Sequence, residues 1–196
     1  MKYACTSILD RKGEDAIPMW EDGMNFPVVS SVQQTMAPGQ TEASCCVFDT
    51  PIGRVRVTAD GRAVTGLRLT EEALLPPEKG TLPAEARRQL LEYFEGTRRT
   101  FDLPLAPEGT PFQQAVWREL RAIPYGQTAS YGDIAARLGR PKAARAVGMA
   151  NHRNPILILI PCHRVVGKNG SLTGFACGLE RKEYLLSLES RTGENG

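Results

Sequence analysis

The residues with most chemical promise sit together in Asn154-Pro155-Ile156-Leu157-Ile158-Leu159-Ile160-Pro161-Cys162-His163-Arg164. A thiolate is a soft nucleophile suited to an sp³ alkyl carbon, and a nearby imidazole can take the thiol proton. Such help is needed, because a free thiol with a pKa of about 8.5 is mostly protonated at neutral pH. The apolar run bounded by prolines predicts a buried strand or extended segment that delivers Cys162 at its end. Side chains alternate along such a segment, so direct contact between Cys162 and His163 is not expected; a bend or a bridging water would have to link them. A lone buried cysteine is more often inert packing, and a lone histidine more often a satisfied core or surface residue, so the pair by itself leaves both readings open.

The surrounding elements must present this segment, and their charge is one-sided. Residues 110–182 carry 11 Lys and Arg against 3 Asp and Glu, whereas residues 1–109 carry 12 against 16. A basic half beside an acidic one fits a polyanion-binding domain, and equally a solvated basic surface. Thr110-Pro111-Phe112-Gln113 reads as a capping box, Phe112, Val116, Leu120 and Ile123 as the buried stripe behind it, and Pro124-Tyr125-Gly126 as the stop. Ser130 caps a short helix carrying Ile134, Ala135 and Leu138, which Gly139 closes; Pro141 opens another, from Lys142 to about Ala150. Two short helices on a tight glycine turn make a helix-turn-helix candidate. The second presents Ala143, Ala144, Ala146, Gly148 and Ala150, with Lys142 and Arg145 as its only charges. Such a narrow ridge lacks the usual readers of major-groove base edges, and suits either a shallow minor-groove fit or close helix packing.

Upstream, Cys45–Asp49 and Arg54–Thr58 alternate as half-buried strands, Asp60-Gly61 supplies a turn, and Ala63–Leu69 returns in a hairpin or meander. After a Pro-rich loop from Leu74 to Gly80, Pro83 opens a helix with Ala86, Leu90, Tyr93 and Phe94 on one face and Gly96 at its end. Phe101–Gly109, with two prolines, reads as a linker. The expected division is therefore a poorly ordered extension over 1–43 (Met36 is a candidate start), an N-terminal domain over 44–109, a second domain over 110–190 and a tail over 191–196. The longest strongly apolar run, Ile156–Ile160, is far shorter than the roughly 20 residues of a membrane span, and no secretory stretch is apparent, so the expected compartment is the cytoplasm. Five cysteines without a C-x-x-C pair, and only two histidines, favour reduced thiols and leave no ready metal site.

Pro161-Cys162-His163-Arg164-Val165, preceded by Asn154-Pro155, resembles the active-site signature of the O6-alkylguanine-DNA alkyltransferase family. So do Phe112-Gln113 with Val116-Trp117, Ile123-Pro124-Tyr125-Gly126, Ser130-Tyr131, Ala143-Ala144-Arg145-Ala146-Val147-Gly148 and Leu179-Glu180-Arg181-Lys182. The resemblance is dense over 110–189, looser over 46–109 and absent from 1–43. It implies an α+β fold: a small N-terminal mixed or antiparallel-sheet domain of ribonuclease H-like kind, then a mainly α-helical, winged helix-turn-helix-like domain for DNA binding and catalysis. It also implies DNA repair without cofactor or metal. Cys162 would take a methyl or small alkyl group from O6-alkylguanine, with O4-alkylthymine a second candidate, irreversibly and once per molecule.

The partner implied is double-stranded DNA carrying the lesion, gripped by a monomer through the minor groove without sequence specificity. Arg145 resembles the finger that fills the stack vacated by a flipped nucleotide, and Tyr131 the residue that crowds the target phosphate and contacts the flipped base. Lys142, Ala143, Ala144 and Ser130 belong to the same implied DNA surface. Asn154 resembles the hinge tying the recognition helix to the reactive segment, though a plain turn-former before Pro155 would also suit. Glu189 would orient His163, which reaches Cys162 through water. Val165, Leu157 and the lid over 171–178, with Phe175, Ala176 and Cys177, would line the substrate pocket. Cys177 stands where glycine is usual, and so would narrow the pocket or bring a second thiol near; Leu157 stands where some relatives carry proline. Three rivals stay open on the sequence: an alkyltransferase-like protein that flags lesions without repairing them, a helix-turn-helix regulator, and a Cys-His thiol hydrolase. The first kind replaces the reactive cysteine, which is present here.

Overall fold

Alternating apolar and polar residues dictate the first layer of the structure. In the computed structural model, which describes residues 43–191, β1 (Ser44–Thr50), β2 (Gly53–Ala59) and β3 (Val64–Leu69) form an antiparallel meander. Val55, Val57 and Ala59 of β2 are buried while Arg54, Arg56 and Thr58 face outward, as a period of two requires. Asp60 closes the second turn, its Oδ1 accepting from the amides of Arg62 at 2.9 Å and Ala63 at 2.8 Å. α1 (Leu82–Phe94) has Pro83 in its first turn and lays Ala86, Leu90 and Tyr93 against the sheet.

The expected linker over 101–109 is instead built into the sheet edge. Val64 donates to the Pro104 carbonyl at 2.8 Å and accepts from Ala106 at 3.0 Å, so Leu105 runs parallel to β3, and Leu103 is buried. Prolines on either side of Leu105 limit the segment to an edge, because they donate nothing to a ladder.

The second half begins where the capping box is expected. The Thr110 hydroxyl accepts from Gln113 N, the Gln113 side chain accepts from Thr110 N, and α2 (Pro111–Arg121) buries Val116, Trp117 and Leu120. A two-residue strand, β4 (Ala129–Ser130), leads into α3 (Tyr131–Arg137), which has its own box of Ser130 and Asp133. α4 (Ala144–His152) packs on α2 and α3 and completes the helix-turn-helix. It starts two residues later than the sequence suggests, because Ala143 N donates back to Arg140 O at 2.8 Å and holds Pro141 and Lys142 in a turn; it then runs past Ala150 to His152. β5 (Val165–Val166) pairs in parallel with β4, and α5 (Leu179–Arg191) closes the described chain.

The largest departure concerns residues 154–161. The segment is buried as expected but is not extended. Only Ile156 pairs, bridging Leu67 of β3, after which Ile160 N bonds Ile156 O at 3.0 Å and Leu159 N bonds Leu157 O at 2.7 Å. Ile158 takes a left-handed φ of 66°, a conformation costing a β-branched residue about 1–2 kcal/mol. Burial of Ile156 through Ile160 offsets that cost. The chain then enters a single 3-10 turn, Cys162–Arg164. One hydrophobic cluster runs from the sheet through α2 to Leu185, joining both halves. The expectations for residues 1–42 and 192–196 lie outside the described residues. Among the described residues no helix is long and apolar enough to cross a membrane, and no three His, Cys, Asp or Glu side chains gather as a metal site would require.

Candidate active site

A loop of apolar residues has no polar side chains of its own to hold its shape, so Asn154 supplies them. Its Oδ1 accepts from Ile156 N at 3.0 Å, and its Nδ2 donates to Ile160 O at 2.8 Å and to Cys162 Sγ at 3.0 Å. One buried amide therefore closes the loop and presents an N–H to the sulfur. Asn151 of α4 adds a longer bond of 3.4 Å to the Cys162 carbonyl, tying the helix to the reactive turn. The thiol is 2 % exposed, and burial pushes it up to about 11; the Asn154 hydrogen bond and the more distant Lys182 charge work against that rise. At neutral pH the resting group is therefore a thiol, and a base must remove its proton.

Behind Cys162, the 3-10 turn sends His163 and Arg164 to one buried carboxylate. His163 Nε2 lies 2.8 Å from Glu189 Oε1, and Arg164 forks onto Glu189 with both bonds at 2.9 Å. Tyr93 O–H donates to the same carboxylate at 2.8 Å, and Gly126 N–H at 3.1 Å. Burial alone would raise Glu189, but the bonds from His163 and Arg164 outweigh it and hold the carboxyl at about 2. A permanent acceptor at Nε2 fixes the tautomer with its proton there, leaving the Nδ1 lone pair free. That atom is buried and has no hydrogen-bond partner among the described residues. Burial lowers the His163 pKa despite the carboxylate, so the ring is neutral and able to accept a proton.

The other wall comes from α3, the lid and α5. Parallel pairing of β4 with β5 sets Tyr131 beside the segment that follows Cys162. Its hydroxyl donates to Thr173 O at 3.0 Å, and Gly174, at φ 64°, leaves the room; a Cβ there would come within 2.8 Å of that hydroxyl. The same Thr173 carbonyl accepts from Lys182 Nζ at 2.8 Å, and Nζ also bonds Val165 O at 2.5 Å. Cys177 is half-buried in the lid, near enough to Cys162 for the charges of the two thiolates to repel.

The structure thus brings together Asn154, Cys162, His163, Glu189, Tyr131, Val165 and Cys177. Phe175 packs half-buried against the core, Ala176 is exposed, and Leu157 is held by its amide to β3 through Leu67 O. Arg145 and Lys142 are exposed, Ala143 and Ala144 half-exposed at the start of α4, and the Ser130 hydroxyl is occupied as a helix cap. Sequence reasoning passed over Tyr93, Arg164 and Lys182 as site residues. Arg164 could have been suspected as an arginine inside a buried run, whereas the distance from Tyr93 to the turn gave no signal.

Two family models tile this chain: residues 44–107 match the ribonuclease-like domain of 6-O-methylguanine DNA methyltransferase, and residues 111–191 its DNA binding domain. A methylated-DNA–protein-cysteine methyltransferase of Methanosarcina acetivorans is 49% identical over 149 residues, covering 73% of this chain and 96% of that protein. The chain belongs to the 6-O-methylguanine DNA methyltransferase family. Among solved structures, the O6-methylguanine methyltransferase of Mycobacterium tuberculosis matches with a TM-score of 0.70 at 44% identity, over 77% of this chain and 94% of that one. The OGT of the same organism in complex with DNA matches with a TM-score of 0.69 at 46% identity, over 76% and 93%. The α+β architecture of a ribonuclease-like domain followed by a helical DNA-binding domain is thus that of the 6-O-methylguanine DNA methyltransferases. A neutral histidine, oriented by a carboxylate and adjacent in sequence to a buried thiol, is chemically able to accept a proton.

Proposed function

We propose that this chain repairs DNA by transferring a methyl or small alkyl group from O6-alkylguanine to Cys162, once per molecule. The observation that carries the reading is the pairing of a thiol held by an amide N–H with a histidine whose far nitrogen is locked to Glu189. The thiol proton passes to His163 Nδ1 through a bridging water. The sulfur then attacks the alkyl carbon, the carbon–O6 bond breaks, and guanine leaves with its electron pair and takes up a proton. Overall one S–H and one C–O bond become one S–C bond and one N–H on guanine. A thioether has no simple return to thiol, so turnover ends there. Tyr131 stays protonated because burial raises its pKa, and its O–H, bonded to Thr173 O here, would turn from that carbonyl to donate to the departing base.

In this reading residues 44–109 form the scaffold domain, and residues 110–190 bind the duplex from the minor groove and accept the alkyl group. Lys142, Ala143, Ala144, Arg145 and Ser130 meet the backbone, Arg145 enters the stack, and Val165, Phe175, Ala176, Cys177 and Leu157 surround the flipped base. Every group the chemistry needs comes from one copy of the chain, which supports action as a monomer. A free thiol nucleophile needs a reducing compartment, which supports the cytoplasm. The test is incubation with a duplex containing O6-methylguanine, followed by peptide mass spectrometry. One methyl group should appear on the Cys162 peptide and saturate at one equivalent, and Cys162→Ser should gain none. Methylation of Cys177 instead, or release of more than one equivalent, would overturn the reading.

A further inference from the structure

α4 buries Val147, Ala150 and Asn151, and the helical period turns Arg145, Met149 and His152, at i, i+4 and i+7, to the opposite side. Most of its other outward positions are alanine or glycine. Met149 breaks that smoothness: its side chain stands in solvent at 57% exposure, one turn beyond Arg145. Folding gains little from an unbranched apolar side chain left there, so it is free to pack against a partner.

We propose that Met149 is an apolar wedge that seats in the minor groove of the duplex beside Arg145, packing on deoxyribose and base edges next to the extruded nucleotide. The proposal rests on the reading of α4 as the DNA-docking helix. The occupant is argued from charge and shape. The domain presenting this ridge is strongly basic, belongs to a DNA-binding family, and exposes Arg145 in the first turn of α4 and Lys142 in the turn just before it. Minor-groove walls are lined by sugars, and proteins that dock there press apolar side chains such as methionine between or against the base steps. Three rotatable bonds and a polarizable sulfur let methionine adapt to whatever bases flank a lesion, which a protein without sequence preference requires. Gly148 keeps the neighbouring flank low: a Cβ there would lie 3.8 Å from the Tyr131 ring, on the side leading to the reactive pocket. The helix thus offers a cation and a thioether to the groove, with Tyr131 beside its glycine flank.

Affinity for a duplex carrying O6-methylguanine, measured in the Cys162→Ser background across a salt series, separates the contributions. Met149→Ala should weaken binding about five-fold, a loss fitting the apolar area a buried thioether covers. The slope of log affinity against log salt should not change, because no phosphate contact is removed. Met149→Leu should retain most of the affinity. Arg145→Ala should weaken binding too. With Cys162 intact, alkyl transfer from free O6-methylguanine base should proceed at the parental rate in Met149→Ala. Parental affinity of Met149→Ala at every salt would overturn the proposal while leaving the docking helix in place. A parallel loss on the free base would overturn it as well, since the residue would then be acting on the pocket. If Lys142→Ala, Arg145→Ala and Met149→Ala all bind like the parent, the docking reading itself fails.

Discussion

Cys177 stands in the lid with its thiol half-buried and in electrostatic reach of the nucleophile. In the proposed reading, a side chain there fills space that a glycine would leave to the alkyl group. Cys177→Gly should therefore raise the ratio of O6-benzylguanine to O6-methylguanine reaction rates by about ten-fold, the scale at which pockets discriminate apolar bulk. Cys177→Ser keeps most of the volume and should keep the parental ratio; equal ratios in all three proteins would refute the steric role. At this scale the sequence was informative where chemistry is local. Cys162 and His163 stand out as a candidate pair once the flanking motifs are added to them, and Cys177 as a departure from the glycine that the resemblance implies. What it could not show is that an asparagine eight residues back donates to the sulfur, because that contact needs a loop closed by Ile158 in a left-handed conformation. An all-apolar run carries no mark that tells a strand from such a loop.

Helix α5 shows why other parts were illegible at the scale of elements. Its buried face is Lys182, Leu185 and Glu189, so two of the three inward residues are charged and the pattern reads as a solvated helix. By contrast, the capping boxes at Thr110 and Ser130 declare α2 and α3 directly, and the meander follows from alternation. The inward lysine has a structural duty. Its ammonium joins α5 to the strand after the nucleophile and to the lid, through Val165 O and Thr173 O. Lys182→Met would leave the buried Val165 carbonyl unpaired and remove one of the lid's ties, with the Tyr131 bond to Thr173 O and the Arg181 bond to Cys177 O remaining. A loss of about 1–3 kcal/mol in denaturant unfolding is expected, the cost of one unsatisfied buried acceptor. Limited proteolysis should cut between Ser171 and Gly178 sooner than in the parent. Parental stability together with an uncut lid would show that the ammonium does not hold these elements.

Over the whole molecule, Glu189 is a buried polar junction between the two halves: Tyr93 reaches it from α1, Gly126 from the turn after α2, and His163 and Arg164 from the reactive turn. That makes folding itself sensitive to acid. Glu189 sits at about 2 in the folded chain, well below the ordinary carboxylate value, so its contribution is present above about pH 4.5 and is lost as pH falls toward 2. Two to three units of depression correspond to stabilisation on the order of 3 kcal/mol. His163 acts in the same direction. Its folded pKa lies below the usual 6.5, so the unfolded chain takes up the proton first, and stability declines as pH drops from there. Melting temperature should therefore fall steadily from neutral pH into the acid range. Glu189→Gln should melt lower at pH 7, by the equivalent of about 3–5 kcal/mol, because Arg164 is left as a buried charge without its carboxylate. It should also lose much of the parental slope below pH 4.5. Tyr93→Phe provides the control: it removes one hydrogen bond but keeps the charge, so it should cost about 1–3 kcal/mol and retain the slope. An acid slope in Glu189→Gln as steep as the parent's would mean that surface carboxylates, and not this buried junction, govern the response.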